Sequence, residues 1–505
     1  MLPKLLGRVR TARSLATISF LITLAVGVIL TIQYTVVYLA DPARPGNSLT
    51  YPKGWLGWFD QSMMLRSTAA LAQGVLDPTH HHYALGYSLL GLPFYLVSPQ
   101  HSFFAIDVLS LLAAFGGFIA LGRRLSLSGA VSAVLFACST MSAPILFRQW
   151  VLPWNTTPVA ACLWLLLATV AAWLDGRRRP VSVGLLMGVV VVCRPSDAVI
   201  LLPCIGALVW VERHNWRQGL AAAARVAIGA AAVVVPVVAL HVAIYGWAES
   251  PYMASSARIG FTLSHFAWKS YILFVDPFPW FAEGEGILQR SHWVALGLMG
   301  LLAALLRGMK DRVLALTLII HAVLYISYVD LLPFGLWRFN NIHYFAWAYP
   351  GYALMAGLLV RDLIRPRVAW TRWTGLGASA AMVMVLCIRI TPSPAQAGQP
   401  AKVIDFTGEM PPFLETVFLD ALQLRDADGS LTYWRDFRAY PYPGGVRVYA
   451  MRRDMVGTVE WIPGHAPKGF EGALPTARWL PRLRLVWPPI WLLPAHPPAN
   501  SFPLD

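Results

Sequence analysis

The sequence predicts an all-α polytopic membrane protein of about eleven transmembrane helices, with a large first outer loop and a small C-terminal extramembrane α/β domain. Three observations predict it. Of the 505 residues, 57% are hydrophobic and only 13% are charged, with a mean hydropathy of +0.56. A water-soluble chain of this length would need a far more polar surface. Apolar runs near the length of a bilayer crossing recur along the chain. The basic residues behind the net charge of +15 fall mostly in short loops between those runs. Retention of positive loops in the cytoplasm explains them, so the membrane is an expected partner and nucleic acid is not.

The N-terminal MLPKLLGRVRTARS is basic, but the apolar run behind it is too long for a signal-peptide core. It is expected to stay as the first span, about 15–40, with its basic flank in the cytoplasm. The loop 41–100 is then outside. Within it, 62–73 reads as a helix lying along the membrane surface, stopped by Gly74. The run 83–97 is apolar but short, and holds Gly86, Gly91 and Pro93. If it crossed alone, every downstream basic cluster would move outside, so it is read as not crossing. Further spans are expected at about 102–122, 127–147, 154–175, 181–194, 196–212, 219–246, 292–308, 313–331, 343–361 and 369–390. The chain is thus expected to be a multi-pass inner (plasma) membrane protein. Its outer segments are 41–100, 148–154, 247–291 and 332–342.

Residues 1–390 form the expected membrane module, and 391–505 an outer domain. The domain opens on the linker TPSPAQAGQP and holds strand-like runs at 445–451 and 455–462. The proline-broken tail LPRLRLVWPPIWLLPAHPP reads as lying at the interface. All five cysteines (Cys138, Cys162, Cys193, Cys204 and Cys387) sit in apolar segments. That excludes a disulfide framework and a thiolate zinc site.

Asp60 stands out as a carboxylate just after the first span, flanked by Trp55, Trp58 and Phe59. Partial desolvation at a membrane surface makes a carboxylate a better base. A solvated loop aspartate is the equal alternative on residue chemistry alone. Arg194 lies in CRPSD between two apolar runs, where charges are functional or paired, and Asp197 is the partner at hand. Arg338 stands in the outer turn before His343 and Tyr344, as a functional cation or an interface anchor. Three adjacent histidines, His80, His81 and His82, point different ways and cannot all bind one ion, although one could join Asp60. Asn155-Thr156-Thr157 is a formal glycosylation sequon that abuts a span.

Three stretches in order resemble the GT-C superfamily, the integral-membrane glycosyltransferases that include the protein O-mannosyltransferases and the lipid A aminoarabinose transferases. The first is Phe59-Asp60-Gln61, then Ala69-Ala70 to Gly74, then YALGYSLLGLPF from Tyr83. The second is GLLMGVVVVCRPSDAVILLPC (184–204), and the third LWRFNNIHYFAWAYPGY (336–352). Several relatives have Asp-Glu where this chain has Asp60-Gln61, which puts a paired-carboxylate mechanism in doubt.

The resemblance implies a polyprenyl-phosphate-linked sugar as donor, a lipid, glycan or protein as acceptor, and chemistry at the outer face. Asp60 would be the general base of a single inverting displacement. Arg194 and Arg338 would hold the donor phosphate. Trp58, Gln61, His82, Tyr83, Tyr87 and Tyr344 would contact substrate. No protein metal site is expected, and a divalent ion is the one candidate cofactor. The rival classes are a transporter or flippase, or a polymerase, of lipid-linked sugars. A transporter should carry polar residues along its spans, whereas this chain keeps them mostly in outer loops.

Overall fold

The computed structural model describes residues 2–41, 43–44, 55, 59–261, 263, 266–277, 285–328, 331–338, 340–364, 372–377 and 380, and nine strands between 389 and 486. The chain divides into two compact units. The first comprises Met1–Ser256, Trp293–Ala322 and Ile342–Ser379. The second comprises Ala257–His292, Val323–Asn341 and Ala380–Asp505.

The first unit is helical. Among the described residues, five helices are long and apolar enough to cross a membrane: Ala16–Ala40, Pro99–Arg124, Thr156–Leu174, Pro195–Glu212 and Trp216–Tyr245. Gly129–Thr140 and Pro144–Val151 make a sixth if the pair, bent by 98°, is one span. Among the described residues, five or six of the eleven expected spans thus meet the length and composition of a crossing. The physical reason is that several apolar runs fold as short helices: Pro180–Cys193, Val294–Leu305 and the 17-residue Ala348–Ile364. Met309–Ser327 is longer but carries Lys310, Asp311, Arg312 and His321. The run expected at 369–390 is described only at 372–377, 380 and the strand that begins at Arg389.

Close helix contact is built from small residues. A Cβ on Gly184 would lie 2.0 Å from the Val226 carbonyl oxygen, and one on Gly229 would lie 2.4 Å from that of Val181. Helices Pro180–Cys193 and Trp216–Tyr245 therefore meet backbone to backbone, as helices do in lipid, where close packing at small residues replaces a hydrophobic driving force.

Ion pairs define one end of this unit. Arg124 and Lys310 both pair with Asp175. Arg178 pairs with Glu212, 2.9 Å apart, and Arg307 with Asp362, 3.0 Å apart. Arg361 also donates to the Leu125 carbonyl. The basic loops read from the sequence thus gather at a common end. The 19-residue helix Thr156–Leu174 runs from Asn155 to Asp175 over about 28 Å. Its start lies at the opposite end, where Arg148 binds Asp41 at 2.8 Å and Arg194 binds Asn155.

A helix is present where one is expected at 62–73, as Phe59–Ala72, with Met64, Leu65, Ser67, Thr68 and Ala70 buried in the protein. Gly74 ends it at φ +68°, and the Val75 amide closes the end on the Ala70 carbonyl. The 83–97 run forms Leu85–Tyr95, 11 residues and about 16 Å, half of what a crossing needs.

In the second unit, helices Pro251–Ile259 (from Ala257 onward), Phe266–Phe274, Ile287–Arg290 and Pro333–Arg338 are short. The strand-like runs of the sequence are strands Gly445–Ala450 and Gly457–Trp461. The four-stranded sheet has the order Phe437–Tyr442, Gly445–Ala450, Lys402–Thr407, Thr476–Trp479, all antiparallel. A three-stranded sheet and a two-stranded ribbon accompany it. Beyond 388 the described elements are strands, so the helical part of the expected α/β domain is not among the described residues. Thr391–Ser393 of the expected linker belong to strand Arg389–Ser393.

Candidate active site

Asp60 sits in the first turn of Phe59–Ala72, half-buried, and the Tyr83 hydroxyl donates to its Oδ1. An acid suits the start of a helix, where unpaired amide groups favour negative charge. Two bonds hold this helix to Leu85–Tyr95: Thr68 Oγ1 donates to the Ser88 carbonyl at 3.2 Å, and Ser88 Oγ to the Met64 carbonyl at 3.3 Å. A Cβ on Gly86 would lie 2.5 Å from the Val192 carbonyl oxygen, so the turn after Tyr83 is pressed against the segment leading into Arg194.

An aromatic wall surrounds the pair. The Tyr83 ring lies 4.5 Å from that of Tyr252 and 4.9 Å from that of His82. The Tyr252 amide donates to the His82 carbonyl at 3.2 Å, and the Tyr245 hydroxyl to the His81 carbonyl at 2.7 Å. Burial holds the His82 imidazole below the ordinary histidine value, so it is neutral near pH 7. A carboxylate gripped by a phenol beside a neutral imidazole and tilted, edge-on rings can accept a proton from a hydroxyl and face a sugar.

The histidine triplet does not converge. His81 is buried, with Nδ1 2.8 Å from Ser67 Oγ and Nε2 3.0 Å from the Val75 carbonyl. Asp77 caps the preceding turn through Thr79, whose bonds hold the carboxyl below the usual carboxylate range. Among the described residues no group of three His, Cys, Asp or Glu side chains offers a metal site.

Arg194 is buried and caps helix Pro180–Cys193 at its C-terminal end. Its Nε donates to Asp197 at 3.1 Å and a terminal nitrogen to Asn155 Oδ1 at 2.8 Å. Its guanidinium carbon stands 5.1 Å from the centre of the Tyr344 ring. Trp154 stacks on His343 at 4.0 Å, and Asn155 Nδ2 donates to the Cys193 carbonyl. Arg194 and the half-buried Tyr344 are thus together, in a cluster that includes the sequence-predicted partner Asp197.

Gln61 is buried at 1% exposure, and its Nε2 has no partner among the described residues. Tyr87 is equally buried, its hydroxyl 2.7 Å from Asp107 Oδ2 and its ring stacked on Phe103. It is a core residue rather than a wall of the Asp60 site. Arg338 ends helix Pro333–Arg338 in the second unit, and its side chain lies outside the described residues, as does Trp58.

Sequence reasoning missed Tyr252, Asn155 and Asp107. Tyr252 carries no local signal beyond its place after Pro251. Asn155 reads as a sequon. Asp107 was visible as the one acidic residue in the apolar run 102–122. Lys269, wholly buried with its Nζ on the Tyr328 carbonyl, was equally unheralded.

No protein-family model matches the chain, and no curated protein matches it. Solved structures similar to it include ArnT from Cupriavidus metallidurans bound to undecaprenyl phosphate, with a TM-score of 0.46 at 15% identity over 73% of this chain. Another is the apo oligosaccharyltransferase of Archaeoglobus fulgidus, with a TM-score of 0.40 at 13% identity over 72% of this chain. The chain spans 63% of that ArnT and 55% of that oligosaccharyltransferase.

Proposed function

We propose that this chain is a GT-C-type membrane glycosyltransferase of the cell envelope. It moves a hexose or pentose from a polyprenyl-phosphate donor to a hydroxyl of a lipid, glycan or protein acceptor at the outer face. The observation that carries this reading is the Asp60–Tyr83 pair within its aromatic wall. The arginine-paired loops at one end of the unit support a cytoplasmic assignment for that end.

In this reading Asp60 takes the proton of the acceptor hydroxyl as its oxygen attacks the anomeric carbon. The new C–O bond forms on one face while the bond to the phosphate oxygen breaks on the other, so the anomeric configuration inverts. The polyprenyl phosphate leaves with the bonding electrons. Phosphate is already a good leaving group, so a general acid is dispensable and positive charge is what the site must supply. Arg194 beside Tyr344 is the proposed source. Tyr83 fixes the carboxylate, while His82 and Gln61 offer hydrogen bonds to sugar or acceptor hydroxyls.

The test is transfer from a panel of radiolabelled polyprenyl-phosphate sugars in membranes containing the wild-type chain. Label reaching an acceptor supports the reading and names the sugar. Label that crosses the bilayer on its carrier without changing bonds would sink it in favour of a flippase.

A further inference from the structure

The geometry points to Asp107 as a positioning residue that acts through Tyr87 to set the Asp60–Tyr83 pair, an inference that rests on the function proposed above. A carboxyl group 1% exposed in an apolar helix is expensive to keep. Its one bond among the described residues is the one from Tyr87, and its Oδ1 has no partner there. The position of Asp107 is itself fixed from the first helix. Tyr38 packs edge-on against Phe104 at 4.7 Å, Tyr34 does so at 5.6 Å, and the Tyr38 hydroxyl meets His101 Nδ1 at 2.7 Å.

Tyr87 in turn fixes the helix that follows Tyr83. Its hydroxyl is tied to Asp107, its ring lies 4.2 Å from Phe103, and Gly86 beside it is flush against Val192. Ser88, the next residue, carries the two bonds to Phe59–Ala72, the helix that bears Asp60. Releasing Tyr87 lets Leu85–Tyr95 turn or slide, and Ala84 and Tyr83 at its entrance move with it. A shift of about 1 Å at a reacting group costs about a hundredfold in rate.

The test uses the full-length chain in detergent or nanodiscs with the sugar donor identified in the panel. Tyr87→Phe and Asp107→Leu should each lower kcat about tenfold to a hundredfold with KM nearly unchanged. Asp107→Asn should restore kcat to within about threefold, because its carboxamide oxygen still accepts from Tyr87. A structural role alone would not be rescued through kcat in this way. Tyr87→Phe keeps the ring packing and carries the test if Asp107→Leu does not fold.

A second readout needs no activity: 3-fluorotyrosine placed at position 83. Its fluorine resonance in Tyr87→Phe and Asp107→Leu should move toward that of Asp60→Asn, and in Asp107→Asn it should stay at the wild-type position. If no donor gives transfer, the functional reading fails while this resonance still decides the positioning claim. Asp107→Asn as defective as Asp107→Leu, or a Tyr83 resonance indifferent to Tyr87→Phe, would overturn it.

Discussion

Asp60 and Tyr83 are 23 residues apart in sequence and joined by one hydrogen bond. A bond between a phenol and a carboxylate contributes about 1.5–3 kcal/mol, so Tyr83→Phe should lower the transfer rate about tenfold to a hundredfold with Asp60 intact. Turnover measured in membranes with matched expression checks this, and a rate equal to wild type would remove Tyr83 from the site. Asp60 was legible as a lone acid after a span, and Arg194 as a charge between apolar runs. Asp197 was legible as the partner of Arg194, but the neighbours of Tyr83 were not. Tyr252 reaches Tyr83 only through tertiary folding, and no spacing rule connects residues 83 and 252.

His81 carries a pH signature. Burial places its folded-state pKa below the ordinary value of 6.5, so the unfolded chain takes up the proton first as pH falls. The contribution of neutral His81 to stability is full above that value and declines as pH drops through it toward the lower, folded value. His82 is shifted the same way by the same cause. Melting temperature in detergent should therefore fall between about pH 7.5 and 5, and more gently in His81→Gln. An unchanged slope in that variant would assign the acid sensitivity elsewhere.

At the scale of elements, the contact between Pro180–Cys193 and Trp216–Tyr245 depends on Gly184 and Gly229. Gly184→Val drives a side chain into the Val226 carbonyl and should cost about 1–3 kcal/mol or more. Gly116, where a Cβ meets nothing within 4 Å, is the control, and Gly116→Ala should leave the melting temperature unchanged or raised. The helix 59–72, its stop at Gly74 and the strands near 445 and 457 were legible because local chemistry sets them. Span number was not. Hydropathy marks an apolar run but does not show that Thr140 to Pro144 turns by 98°. The break at Arg194 was legible from the runs 181–194 and 196–212, but its tertiary partner Asn155, whose side chain takes the freed Cys193 carbonyl, was not.

At the scale of the whole molecule, basic loops scattered in sequence meet at one end of the helical unit. The sequence pattern foretold that gathering through charge retention alone, without knowing that Asp175 and Asp362 would be the acidic partners. It implies a fixed sidedness. In a chain stripped of its five cysteines, Thr79→Cys should react with an impermeant thiol reagent added outside intact cells. Arg177→Cys should react only after permeabilisation. Labelling of both from outside would contradict the topology.

The most direct measurement compares wild type with Asp60→Asn in the transfer assay. The amide keeps the shape of the carboxylate but cannot take the acceptor's proton. Loss of a general base lowers rate by about a hundredfold to ten-thousandfold. Transfer in wild-type membranes and its loss in Asp60→Asn, with equal protein and an unchanged melting temperature, is the predicted result. Transfer by Asp60→Asn at the wild-type rate would contradict the assignment of Asp60 as the base.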